Sequence, residues 1–220
     1  MIKEDLKKIK TAIPENVKLV AVSKTKPVPM LEEAYEAGQR HFGENRVQEL
    51  EEKYTVLPKD VKWHMIGHLQ SKKVKKIAPF VHLIHGVDSF KLLREINKQA
   101  FKNERTINCL FQFHIAQEAT KFGLSFEEVE EILKSDAFSS LNNIRVCGVM
   151  GMATLTDSLE QIHAEFRALK EIFDEIKSKF SAQLPHFTEI SMGMSGDYEI
   201  AIEEGSTMIR LGSSIFGSRG

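Results

Sequence analysis

Residues 17–37, VKLVAVSKTKPVPMLEEAYEA, hold one complete structural unit. The run Val17–Ser23 is short, apolar and β-branched, as a buried strand requires. Lys24–Pro27 interrupts it, and Met30–Ala37 then places apolar residues at three-to-four spacing with glutamates between them, the pattern of an amphipathic helix ending at Gly38.

The same unit recurs along the chain. Further strands are predicted at His41–Asn45, Lys62–Gly67, Val81–Asp88, Asn108–Ile115, Ile144–Ala153, His186–Gly193 and Thr207–Gly212, making eight with the first. Amphipathic segments at Val47–Tyr54, Phe90–Phe101, Phe126–Lys134 and Leu159–Lys179 supply crossovers, and an N-terminal helix precedes the first strand. Pro58 and Pro79 fall in or beside connections, and Asp157-Ser158 precedes the long helix as a cap. Eight such units fit a closed (β/α)₈ barrel of the TIM type, which leaves no sheet edge exposed; an open doubly wound sheet is the alternative on pattern alone.

Composition agrees with a packed α/β body. Of 220 residues 42% are hydrophobic and 28% charged, and 30 basic against 31 acidic side chains leave a formal charge of -1. That balance gives no global electrostatic case for binding nucleic acid or an anionic membrane. No run approaches the ~18 apolar residues of a membrane span, and MIKEDLKKIK lacks a signal-peptide core, so a cytoplasmic protein of one domain, residues 1–220, is expected. Cys109 and Cys147 lie in apolar strand-like runs without metal-type spacing and read as buried, reduced thiols.

In a barrel, chemistry sits at the C-terminal ends of the strands. Lys24 ends the first strand in step with Val20 and Val22, so strand alternation points all three to one side. A lysine partly shielded there has its free amine favoured for attack on an aldehyde, forming a Schiff base; the plainer reading is a side chain that extends out of the barrel mouth to water. Lys26 reads as loop surface. Arg210, among apolar neighbours in TMIRLGSSIFG, needs acceptors if it points inward. Gly212, Ser213 and Ser214 after the eighth strand, with Ser195 and Gly196 after the seventh, offer backbone and hydroxyl donors where barrels often bind phosphate.

Other clusters read as structure. His64 with His68, and His82 with His85, stand at strand spacings that do not bring two ligands together as a helix would. Lys72, Lys73, Lys75 and Lys76 read as a solvated helix face, and Met150, Met152, Met192 and Met194 as gap-filling core, some of it flooring a pocket.

The blocks AVSKTKP (21–27), HFGENRVQE (41–49), WHMIGHLQSKK (63–73), HGVDS (85–89), GVMGMAT (148–154), SMGMSGD (191–197) and IRLGSSIFG (209–217) resemble, in order and over essentially the whole chain, the pyridoxal 5′-phosphate (PLP) homeostasis proteins of the alanine racemase N-terminal type. The resemblance implies PLP held as a Schiff base on Lys24, Asn45 near the cofactor ring, Ser195, Gly212 and Ser213 on the phosphate, and Arg210 facing the pyridine nitrogen. It implies a carrier or regulator in vitamin B6 homeostasis, delivering PLP to apo forms of PLP-dependent enzymes, with no settled catalytic reaction; from the histidine spacings no metal is expected. A monomer is expected. Lys72 departs from the asparagine usual after LQS in that family.

The alternative within the same chemistry is a PLP-dependent amino-acid racemase or lyase. Arginine opposite the ring nitrogen disfavours pyridinium formation and weakens the electron sink. Racemisation also wants a second acid or base, and Tyr198 is the one tyrosine expected near the cofactor end, since Tyr35 and Tyr54 fall in outer helices and the chain closes at Gly220. A third reading, a PLP-free phosphosugar-binding barrel with a substrate Schiff base on Lys24, predicts a colourless protein.

Overall fold

The structure, a computed structural model, describes residues 1–116 and 123–217. In chain order the elements are α1 (Ile2–Ala12), β1 (Lys18–Val22), α2 (Val28–Glu36), β2 (His41–Glu44), α3 (Val47–Val56), β3 (Lys62–Met65), a single 3₁₀ turn (Ser71–Lys73), α4 (Val74–Ile77), β4 (Leu83–Val87), α5 (Phe90–Lys102), β5 (Ile107–Gln112), α6 (Phe126–Lys134), α7 (Asp136–Ser139), β6 (Ile144–Met150), α8 (Leu159–Lys179), β7 (Glu189–Ser191), α9 (Tyr198–Glu203), β8 (Met208–Leu211) and α10 (Ser213–Phe216). All eight strands pair in parallel, in sequence order, and β8 pairs with β1 to close the barrel. The closed form replaces the open-sheet alternative.

Strand alternation sorts the side chains into two cores. Phe42, Trp63, Cys109, Phe111, Ile190 and Ile209 point outward and pack with the helices, while Val20, Leu83, Leu110, Met150 and Met208 meet inside the barrel. The expected in-step arrangement holds: Val20 is in the interior, and Val22 and Lys24 follow it toward the C-terminal mouth. Strands are shorter than predicted where polar turn residues had been included, most of all β7, whose flanking segments leave the ladder.

Two register shifts adjust this alternation. Between β4 and β5 the pairing moves from Ile84↔Cys109 to Val87↔Phe111, leaving His85 and Gly86 opposite a single residue. Between β5 and β6 it moves from Cys109↔Val146 to Leu110↔Gly148, so Cys147 is the extra residue. A bulge of this kind re-aims the neighbouring side chains. At Gly148 it also presses the backbone against β7, where a Cβ would lie 1.8 Å from the Glu189 carbonyl oxygen.

Both cysteines are free; Cys109 is buried as expected, but Cys147, displaced by the bulge, is half-exposed. Burial raises the Cys147 thiol to about 11, so it is a thiol rather than a thiolate at neutral pH. Lys72, Lys73, Lys75 and Lys76 are exposed as predicted, with Lys76 paired to Glu51 at 3.0 Å. Among the described residues no helix is long and apolar enough to cross a membrane.

The Gly148 contact is with main chain, which cannot rotate away. Gly148→Ala is expected to lower unfolding stability by at least about 2 kcal/mol in urea denaturation, whereas Gly196→Ala, with open space around its Cβ, is expected to fall within experimental error of the parent.

Candidate functional site

A cleft of about 400 Å³ opens at the C-terminal mouth of the barrel. Lys24, Asn45, Ser195, Arg210, Gly212 and Ser213, expected from four separate stretches of sequence, all line it. Val22, Ile66 and Met152 supply apolar wall, and the exposed Met194 stands at the rim. Ser214 is not among the lining residues, and neither is Tyr198, whose hydroxyl bonds Glu199 at 3.2 Å. Burial and the Glu199 carboxylate raise the Tyr198 phenol further, so it is a poor base.

The turn carrying Lys24 is fixed from below. Ser23 Oγ donates to Glu44 Oε1 at 2.6 Å, and Lys53 Nζ donates to the same oxygen at 2.6 Å and to the Ser23 carbonyl at 2.7 Å. Glu44 is 0% exposed and Lys53 6%. Burial pushes the Glu44 carboxyl up, while Lys53 and Ser23 pull it back; its second oxygen, Oε2, has no hydrogen-bond partner. Thr25, next to Lys24, adopts φ 64°, a left-handed conformation that a β-branched residue rarely takes. Its N–H donates to Glu49 Oε2 at 2.7 Å, which holds the turn in that shape. Lys26 is not simple loop surface: it lines the cleft and its ammonium donates to the Phe216 and Gly217 carbonyls at 3.2 and 3.0 Å, tying the turn after β1 to α10.

Two glycines set the other walls. A Cβ on Gly67 would lie 2.5 Å from the Asn45 carbonyl oxygen, so only glycine lets that segment pack beside Asn45. Gly212 sits 3.2 Å, at the same imaginary Cβ, from the Val22 carbonyl oxygen, and its N–H donates to Ser195 Oγ at 3.3 Å, joining the turns after β7 and β8.

Arg210 forms the inner wall. It is 4% exposed, and its guanidinium donates to Ser191 Oγ at 2.6 Å and to the Gly151 carbonyl at 3.2 Å, the acceptors that its sequence position demanded. Burial lowers it to about 10, which still leaves it cationic at neutral pH. A guanidinium has five N–H groups; with two bonded to protein, the face toward the cleft offers donors to an acceptor there.

Beneath Arg210 a chain of imidazoles runs down the barrel. His85 Nδ1 lies 2.9 Å from Ser191 Oγ, His85 Nε2 lies 2.8 Å from His64 Nδ1, and His64 Nε2 lies 2.9 Å from His41 Nδ1. Arg210 can only donate to Ser191, so the Ser191 hydroxyl hydrogen is free to go to His85 Nδ1. His85 then carries its proton on Nε2 and donates to His64, which does the same toward His41. The opposite polarity would leave the Ser191 hydrogen without an acceptor. Burial holds His64 and His85 well below the usual imidazole value, with His85 and Arg210 respectively the next causes. Burial also lowers His41 and His82 to about 4. Sequence spacing along single strands did not reveal this chain, because it is built across β2, β3, β4 and β7. His68 lies apart from it, 3.0 Å from Asp88.

The geometry can therefore present the lysine amines of the turn after β1, hydroxyl and backbone donors and a fixed cation to the same small ligand. Along residues 1–220 the chain matches the family model described as alanine racemase, N-terminal domain. It is 40% identical over 203 residues to a protein of Aquifex aeolicus named pyridoxal phosphate homeostasis protein, covering 92% of this chain and 87% of that one. A protein of the same name from Schizosaccharomyces pombe is 40% identical over 207 residues, 93% of this chain and 85% of that one. Among solved structures, PipY of Synechococcus elongatus is 36% identical and covers 99% of this chain and 100% of its own, with TM-scores of 0.92 without PLP and 0.89 with PLP bound. Alanine racemase of Bartonella henselae, at 16% identity and TM-score 0.74 over 98% of this chain and 60% of that one, shares the fold.

Two outcomes follow from the buried groups. Lys53→Met alone is expected to cost about 3–5 kcal/mol in urea denaturation because it leaves the buried Glu44 carboxylate without its cation, Glu44→Leu to cost less because Lys53 keeps Glu49 at 3.5 Å, and the double variant to recover most of the loss. The unfolded chain takes up imidazole protons as pH falls through the usual 6.5, while folded His41 and His82 refuse them down to about 4. Stability present above pH 6.5 is therefore expected to decline between pH 6.5 and 4, and His82→Gln to flatten that decline; an unchanged slope would contradict the burial assignment.

Proposed function

This chain belongs to the alanine racemase N-terminal domain family, and from that premise we propose that it is a PLP-binding protein of vitamin B6 homeostasis with Lys24 as its covalent attachment point. The carrying observation is the convergence of Lys24, Asn45, Ser195, Arg210, Gly212 and Ser213 on one cleft of about 400 Å³. In this reading residues 1–220 act as one cofactor-binding domain in the cytoplasm.

The donor set fits the cofactor. PLP supplies an aldehyde carbon that a primary amine can hold, a doubly ionisable phosphate and a ring nitrogen. Lys24, on a turn clamped by Glu44, Lys53 and Glu49, is the amine. The linked turns at Ser195 and Gly212–Ser213 offer hydroxyl and backbone donors to the phosphate. Arg210, a cation with N–H groups toward the cleft, receives the ring nitrogen only as an acceptor and keeps it unprotonated. Asn45, Val22, Ile66 and Met152 line the cleft and would flank the ring there.

The same residues favour holding and releasing the cofactor over transforming an amino acid. Arg210 removes the electron sink that a protonated ring would provide. Tyr198, turned to Glu199 and absent from the cleft lining, gives no second base there. The relatives in Aquifex aeolicus and Schizosaccharomyces pombe are likewise named for homeostasis rather than for a reaction. Apo forms of PLP-dependent enzymes are the corresponding recipients.

Absorption spectroscopy of the purified protein with added PLP tests the reading. A visible band is expected in the parent and is expected to be lost in Lys24→Ala, with PLP passing from the loaded protein to an apo-enzyme faster than it is released to solvent. No band at saturating PLP would overturn cofactor attachment, and solvent deuterium incorporation into an amino acid would move the assignment to a racemase or lyase.

A further inference from the structure

At the end of the barrel opposite the cleft, the first residue of β2, the third of β3 and the residue before β4 bring His41, His64 and His82 together. One ring nitrogen from each lies within 4.8 Å of the other two. Neighbouring rings approach with centroids 5.1 to 5.7 Å apart and tilted or edge-on faces, so nitrogen lone pairs can converge without a stacked ring in the way. We infer that these three imidazoles form a site for a divalent transition metal ion of the Zn²⁺ class, separate from the cofactor cleft.

Three features carry this. Imidazole is a preferred ligand for Zn²⁺ and its neighbours, with metal–nitrogen distances of about 2.0–2.1 Å. Two ligands on one such ion stand somewhat farther apart than the 2.9 Å now separating His41 Nδ1 from His64 Nε2, and the third needs to close in from the 4.8 Å limit. Both adjustments are changes of side-chain torsion rather than of backbone. Next, His64 is supported as metal-binding histidines usually are: its second nitrogen, Nδ1, is 2.8 Å from His85 Nε2, and His85 is in turn held by Ser191. Finally, His82 lines a second opening of about 200 Å³ at this end of the barrel, which gives an ion a way in, and His41 is half-buried rather than sealed.

The surroundings define the ion's remaining shell. Lys18 and Lys62 stand near His41 and His82, and Lys18 is paired with Glu189 at 2.6 Å. Among the described residues no carboxylate joins the three imidazoles as a ligand, though Glu189 acts on His82 from nearby, so a bound ion keeps its double charge and leaves a fourth position for water or a small anion.

Binding also rearranges protons in a defined way. In the metal-free chain His64 carries its proton on Nε2, the atom the metal requires. That proton has to pass to Nδ1, which turns His64 into a donor to His85 Nε2 and moves the His85 proton to Nδ1, facing Ser191. Each ring exchanges one tautomer for the other and neither proton is lost, while the Ser191 hydroxyl hydrogen gives up His85 as its acceptor, a cost that metal ligation has to exceed.

The test uses untagged, full-length protein titrated with Co²⁺, an optical stand-in for Zn²⁺. Expected are visible ligand-field bands of four-coordinate intensity saturating at one equivalent and bleached by Zn²⁺. His82→Ala, His82→Phe and His41→Ala are each expected to lose them, with His68→Ala unaffected and with folding of every variant checked by circular dichroism. Nitrogen-15 NMR of the imidazoles is expected to show the His64 proton moving from Nε2 to Nδ1 when Zn²⁺ is added. No bands with excess Co²⁺, or bands that persist in both folded His82 variants, would overturn the site.

Discussion

A guanidinium that is 4% exposed, with its hydrogen bonds to the Ser191 hydroxyl and the Gly151 carbonyl and the Asp197 carboxylate acting on its charge, organises the interior of this barrel. Arg210 can only donate, so everything it touches must accept: the Gly151 carbonyl, Ser191 Oγ, and on its open side whatever fills the cleft. By occupying Ser191 from above, it turns the serine hydrogen downward and fixes the proton position on each imidazole as far as His41. One permanently charged side chain thereby sets both the electronic character of the cleft and the polarity of the polar column under it.

Much of this architecture was legible in the sequence because it follows from periodicity. Eight strands, the limits Phe126–Lys134 and Leu159–Lys179 of two helices, and the shared direction of Val20, Val22 and Lys24 all depend on local alternation, which a linear chain displays directly. The cleft residues were legible for another reason: each sits at or just beyond a strand end, and the barrel itself gathers strand ends into one place.

What the sequence concealed depends on contacts between strands or across layers. Glu44 and Lys53 are charged residues that a pattern reading assigns to surface, yet they neutralise each other under the Lys24 turn. The strain at Thr25 has no compositional sign, since nothing about threonine advertises a left-handed φ. His85 points inward beside a register shift that no spacing rule foresees, and His41, His64 and His82 stand more than fifteen residues from one another along the chain while their rings meet in space. Pairs within one strand were the wrong unit in which to look for convergence.

Closure of the sheet by β1 and β8 has a consequence for the order of events in synthesis. Lys18 through Ala21 pair with Met208 through Leu211, and the cleft takes Lys24 from one end of the chain and Ser195, Arg210, Gly212 and Ser213 from the other. A ribosome-bound chain that has displayed Lys24 still lacks the turns after β7 and β8, and contacts of such long sequence separation form late in folding. Until the final strand has emerged and docked, the lysine is an ordinary exposed amine. The barrel thus works as a check on completeness: the cleft comes into being only when the first and last strands have paired.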